Sequence, residues 1–416
     1  MRATFATLCL LIAFHCTADF ESDIVLNASD VVPGALLKGP NHAVSNDIPT
    51  NGLQNYYTVN SSFGEFGATG TGDLRVRIRE IDALTYLESM SKTSVFLDAL
   101  KATGIKSVES IVGIFTSPIK TLKGLPSGVQ RLFSGWARSA ERGARATKRT
   151  LTGAQEIDAQ EFRKSNYLLS NNERSWAKQL KTDPYSTNAK LRSAISSMSI
   201  VQFIGGLPVE LALPLGASLT LDIVGEIDGK IYQKTAAELE IDNRVCLAAL
   251  DVEQANIDKF INADYLTPTL QTVFCTTATT LSDVANVSAL ATQLASGESY
   301  EASRFLLSTI GLLSWYHQTQ EPLTEIIGDV SLPQAITRKN EHLVILPVDY
   351  LFWTEQTSQA IEALSNREDT AGHALWIIGR SSGTALEQLN SRHWQFHNID
   401  NSPKLAAIYN SGLSQM

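Results

Sequence analysis

The chain has 416 residues, 44% of them hydrophobic and 19% charged, with a formal net charge of −9. This is the composition of a folded protein, and the length allows two or three domains or one large core with an extension. The acidic balance argues against a nucleic-acid binder, and past the first residues no window of about eighteen charge-free apolar residues occurs, so no transmembrane span is expected in the mature chain.

Residues 1–18 read as a signal peptide. Arg2 gives a positive start, Leu8 to Phe14 an apolar run, and Cys16-Thr17-Ala18 a small-residue cleavage site. A lipoprotein reading would anchor Cys16, but His15 fits poorly before it. Export follows, to a periplasmic or secreted destination, and with it an oxidising compartment.

Residues 19–55 are an irregular lead-in with turn signals at Val32-Pro33-Gly34 and Lys38-Gly39-Pro40. A mainly helical domain is expected over 56–320, opening on a β-hairpin. Its first strand carries Tyr57, Val59, Phe63 and Phe66, and Gly67 to Gly72 make the turn. In its second, Leu74, Val76 and Ile78 alternate with Arg75, Arg77 and Arg79. Helices follow around Leu84–Leu100 and Ser107–Pro118.

Residues 120–149 hold eight basic residues and one acid, a net of about +7, so the remainder carries about −16. Arg131, Arg138, Arg142, Arg145 and Arg149 recur at helical spacings, beside an apolar stripe of Val129, Leu132, Phe133, Trp136 and Ala140. This is a basic amphipathic helix. It can pack its stripe on the core and offer arginines to an acidic partner, or lie on an anionic membrane surface. Nucleic acid is not expected, since no aromatic interleaving accompanies the charge.

More helix is expected at 154–164, 172–181 and after Ser186 or Thr187. The apolar run Phe203 to Ile227 is ambiguous, and its Gly205-Gly206 lacks the lysine and hydroxyl of a phosphate loop. Cys246 and Cys275 then fall in two successive helices. They are the only cysteines left once the leader is removed, and a disulfide between them is expected to pin a helical hairpin; the competing expectation is two buried free thiols. Closing a loop of about thirty residues would contribute roughly 3–4 kcal/mol. Helices over Val287–Leu294 and Tyr300–Tyr316 complete the domain.

A small α/β unit is expected over 321–416. Ile326–Ile336, His342–Val348 and Ala374–Ile378 read as strands, Phe352–Leu364 and Thr384–Leu389 as helices, and Trp394 to His397 as a strand edge. The fold class is therefore α+β: a mainly helical body, an N-terminal β-hairpin and a small C-terminal α/β unit.

One motif looks catalytic. Gly379-Arg380-Ser381-Ser382-Gly383 matches G-x-S-x-G between a strand and a helix, where small flanking residues permit the strained turn that exposes a nucleophile. Ser381 would need a base, His393 or His397, oriented by Asp400 or Asp349. Only 33 residues follow Gly383, a short run for such a fold. His393 and His397, with Asp400 or His373, make a weaker metal reading; no metal-binding motif or cofactor is called for. Three Asn-x-Ser sequons, at Asn27, Asn60 and Asn286, bear on modification only in a eukaryotic source. The expectation for function is a non-enzymatic structural or interaction protein meeting an acidic partner or envelope surface through the basic helix. A serine hydrolase is the alternative.

Overall fold

The computed structural model describes residues 20–102, 113, 115, 168–199 and 224–399, except 23, 329 and 368. The leader, the basic stretch with Arg131, Trp136, Arg138, Arg142, Arg145 and Arg149, the apolar run at 203–223, and Asp400 lie outside the described residues. The fold is α+β and predominantly helical, with strands near both ends.

Strand β1 (Val25–Asn27) leads into two single-turn helices, α1 (Ala28–Val31) and α2 (Gly34–Leu37). The short strands β2 (Ala43–Val44) and β3 (Asp47–Pro49) follow, and β3 pairs antiparallel with β1. Next come β4 (Tyr56–Ser61) and β5 (Gly64–Thr69), a hairpin flanked by β2. A hairpin is thus present, but it closes before the arginine-rich stretch.

That stretch is not a strand, as its alternation suggests, but part of helix α3 (Gly70–Ser91). Leu74, Ile78, Ile81, Leu84 and Leu87 are buried at spacings of three and four residues. Six residues of alternation are outweighed by a helical apolar face four turns long. Among the described residues, helices α4 (Ser94–Ala102), α5 (Asn171–Gln179) and α6 (Ala189–Ser199) also belong to this lobe. Ser170 and Glu173 form a capping box at the start of α5, and Asn188, rather than Ser186 or Thr187, accepts the Leu191 N–H at the start of α6. Val59, Phe63, Leu74, Leu84, Trp176 and Leu191 lie in one core.

The second core begins with α7 (Val224–Gln233), α8 (Ala236–Ala249), α9 (Gln254–Ile261), α10 (Pro268–Thr279), α11 (Ala289–Ala295) and α12 (Tyr300–Thr319). It continues through β6 (Leu323–Ile326), β7 (Ala335–Thr337), β8 (Glu341–Leu346), β9 (Tyr350–Leu351), α13 (Glu355–Ser365), β10 (Gly372–Ile377), β11 (Arg380–Ser381), α14 (Gly383–Ser391) and β12 (Trp394–Asn398). A five-stranded sheet runs β12-β10-β8-β7-β6, parallel across its first three strands and antiparallel from β8 to β6. Helices α8 to α12 bury the same core as this sheet. Phe305, Leu306, Ile310 and Leu313 put α12 inside that core, each side chain contributing about 1.5–3 kcal/mol.

The expected disulfide is not formed. Cys246 and Cys275 are free thiols, 2.8 Å apart, where a bond requires about 2.05 Å. The expected pair of helices is in fact three, because α9 stands between α8 and α10. Cys275 lies 3.7 Å from the Asn243 carbonyl as a hydrogen-bond donor, and Cys246 lies 4.0 Å from the Thr279 hydroxyl.

The two lobes meet over buried charge. The Arg304 guanidinium of α12 reaches across to Asp73 of α3. Arg77 donates to Glu80 at 2.8 Å, and Glu80 also accepts from Ser186 and, at 3.0 Å, from Asn188. Burial works against the charge of Arg77, but Glu80 and Asp73 more than offset it and hold its pKa above the ordinary value. Arg77 thus grips carboxylates of its own chain.

Candidate functional site at the carboxyl edge of the sheet

Open α/β sheets seat ligands outside the carboxyl ends of their parallel strands. Here β8 and β10 emerge side by side, and their exits run on as β9 and β11, paired in parallel with Ser381 opposite Leu351. Gly379 makes this approach possible. Its φ is +89°, and a Cβ there would collide with the carbonyls of Val348 and Asp349. The G-x-S-x-G glycine thus serves a close backbone approach.

The second serine of the motif has the local role. Ser382 caps α14, accepting the Ala385 N–H at 3.0 Å, and donates to Glu21 at 2.6 Å. Glu21 also accepts the Trp353 N–H at 2.6 Å. The Ser381 hydroxyl has no hydrogen-bond partner among the described residues.

The histidines are elsewhere. His393 is exposed, just past the far end of α14, about 13 Å along the helix from its start. His397 sits on β12 opposite Trp376, its ring stacked on the indole at 4.3 Å. Burial lowers its pKa. Neither histidine is hydrogen-bonded to Ser381, and Asp349 orients neither. Its two oxygens accept the Asn55 N–H at 2.9 Å and the Thr71 N–H at 2.8 Å, so it caps α3. Burial raises its pKa, while those N–H groups favour its charged form. Tyr57 links Asn55 (3.1 Å) to Thr71 (2.9 Å) beside it.

The edge is therefore filled by the chain itself. Leu53 and Gly52 accept the N–H groups of Asp349 and Phe352, and Glu21 occupies the start of α14. An open groove of about 630 Å³, with Asp251, Asn286, Glu325 and Arg367 in its walls, shares no residue with the motif.

A second pair of imidazoles escaped sequence reasoning. At the amino ends of β8 and β10, His342 and His373 meet through their Nδ1 atoms at 3.0 Å, and His342 Nε2 lies 2.8 Å from the Gln334 amide oxygen. The amide oxygen only accepts, so His342 carries its proton on Nε2 and His373 donates between the rings. Burial, and next the charge of His373, push the His342 pKa down to about 3. His373 stacks on Trp394. Only the register of β8 against β10, invisible in sequence, brings these rings together. Among the described residues no three His, Cys, Asp or Glu side chains converge as a metal centre. No protein-family model, curated protein or solved structure matches the chain.

Proposed function

We propose that this is a non-enzymatic interaction protein that engages an acidic protein partner through the basic stretch at 120–149. The observation that carries this is charge segregation: about +7 in thirty residues of a chain whose net charge is −9. Cations in the described body support it, because many are already matched by the chain's own acids: Arg77 with Glu80, Arg304 with Asp73, Arg244 with Glu240 and Asp258, Lys339 with Glu321. The leader reading supports placing the encounter outside the cytoplasm. Against the hydrolase stand the unpartnered Ser381 hydroxyl and the commitment of Asp349 to α3.

The test is retention of the full chain on immobilised polyglutamate, alongside flotation with phosphatidylserine vesicles. Wild type should bind polyglutamate and release as salt shortens the Debye length below about 10 Å. A variant with Arg138→Glu, Arg142→Glu and Arg145→Glu should not bind. Equal retention of the two would sink the proposal, and binding to vesicles alone would replace the acidic protein with a membrane.

A further inference from the structure

Helix α8 buries one side and leaves an apolar stripe on the other. Leu239, Asn243 and Leu247 are buried. On the opposite side Ala237, Ile241, Val245, Ala248 and Ala249 recur at steps of three and four residues, and all are exposed. Ile241 keeps 62% of its surface and Val245 66%. A single exposed aliphatic needs no explanation, but a stripe about three turns long marks a contact surface. Its rim is acidic. From Ala236 to Glu253 there are five acids and one base, a net of −4 by subtraction. That base, Arg244, is already held by Glu240 at 2.9 Å and Asp258 at 2.7 Å. Asp251 and Glu253, just past the end of α8, stand in the wall of the open groove and are ion-paired with no described residue.

We infer that this face of α8 is the docking surface for the basic stretch at 120–149 of a second copy of the chain. This docking presupposes that 120–149 engages an acidic partner, and it names the partner. The two sequences match in both charge and apolar pattern. The stretch carries about +7 beside the apolar run of Val129, Leu132, Phe133, Trp136 and Ala140, and α8 with its following turn carries −4 beside Ile241 and Val245. An amphipathic arm laid on α8 buries Ile241 and Val245 at the centre and brings its arginines to Glu238, Asp251 and Glu253 at the rim.

The acceptor side is ready-made. Thr235 and Glu238 form a capping box at the start of α8, and Leu239 and Leu247 anchor its buried side, so the face needs no ordering to bind. It stays open with its own chain folded, so the occupant comes from outside. Arm and face lie in different parts of the chain. The contact is therefore heterologous: each copy offers its arm to one neighbour and its face to another, and nothing limits the assembly to two.

The experiment is sedimentation velocity of the full chain at rising concentration, with retention on immobilised polyglutamate measured alongside. A face variant, Ile241→Gln with Val245→Gln, keeps the arm; glutamine suits an exposed helix position, and circular dichroism checks the fold. An arm variant, Arg138→Glu with Arg142→Glu and Arg145→Glu, keeps the face. The sedimentation coefficient of wild type should grow with concentration and fall back as salt shortens the Debye length. Each variant alone should stay monomeric, and an equimolar mixture of the two should form a one-to-one dimer and nothing larger. Of the two variants, only the face variant should be retained on polyglutamate. A wild type that binds polyglutamate yet stays monomeric, a face variant that still self-associates, or a mixture that does not pair would each overturn the docking and leave the basic arm standing. Failure of wild type to bind polyglutamate would take down both.

Discussion

Two buried polar clusters of this molecule treat charge in opposite ways. Between the lobes, Asp73, Arg77, Glu80 and Arg304 are removed from water as ions, each facing an opposite charge. At the amino ends of β8 and β10, His342 and His373 share one hydrogen bond with no carboxylate in contact, and His342 is 1% exposed. The first cluster keeps its groups charged by pairing them, and the second keeps its rings neutral by burial. The difference teaches where each lobe is vulnerable: the first to losing a partner, the second to gaining a proton.

The largest effect should come from breaking a pair. Asp73→Ala removes the carboxylate ion-paired with Arg304, and also the acceptor of the Thr69 N–H. Removing one member of a buried pair costs about 3–5 kcal/mol. Because Arg304 keeps 20% of its side-chain surface in solvent, the lower end is expected. Replacing both partners with Asp73→Leu and Arg304→Met should recover most of the loss. Denaturant midpoints of the single and double variants check this; a double variant no better than Asp73→Ala would show that the charges, not their pairing, hold the lobes together.

The histidine cluster should give the next largest effect, through pH. His342 has an ordinary value of 6.5 and a folded value of about 3. The unfolded chain thus takes up its proton first as pH falls. Stability from the neutral ring is complete above about 6.5 and drains away as pH falls toward 3. The slope approaches about 1.4 kcal/mol per pH unit. His373, also lowered by burial, adds in the same direction. Arg367 opposes the charged ring and Asp369 favours it. His342→Gln should flatten the wild-type slope, most cleanly just below pH 6.5, before carboxylates titrate. Parallel slopes for the two proteins would remove the histidine pair from the account.

The contrast also shows what the sequence could reveal. Several C-terminal elements are legible because their signals are local, although the stretch Ile326–Ile336 is not one strand: β6 ends at Ile326 and β7 begins at Ala335. Leu343 to Leu346 is an apolar run of strand length, Asn340 turns the chain with a φ of 63°, and Thr354 and Ser382 cap the helices that follow the strands. At 74–79 local alternation competes with a helical period visible only over four turns, and the helix wins. The partners of Arg77, Asp349 and His342 come from register and lobe packing, as with Asn55 and Asp349, 294 residues apart. Spacing shows neither that α9 stands between the two cysteine helices nor whether their sulfurs bond.

The smallest effect separates the two serines of the G-x-S-x-G turn. Both are small, adjacent and close to the start of α14, so sequence treats them alike. The structure does not. Ser382 closes the first turn of α14 and donates to Glu21, which also holds the Trp353 N–H. Ser382→Ala should therefore cost about 1–2 kcal/mol, the loss of a cap made worse by a carboxylate left short of a donor. Ser381 hydrogen-bonds no described residue through its hydroxyl, and its backbone pairing with Leu351 survives truncation. Ser381→Ala should stay within about 0.5 kcal/mol of wild type. Since neither His393 nor His397 is hydrogen-bonded to that hydroxyl, the variant should also leave labelling by a fluorophosphonate serine probe unchanged. A drop in labelling on Ser381→Ala, with stability intact, would reinstate the nucleophile and overturn the assignment of this edge to structure.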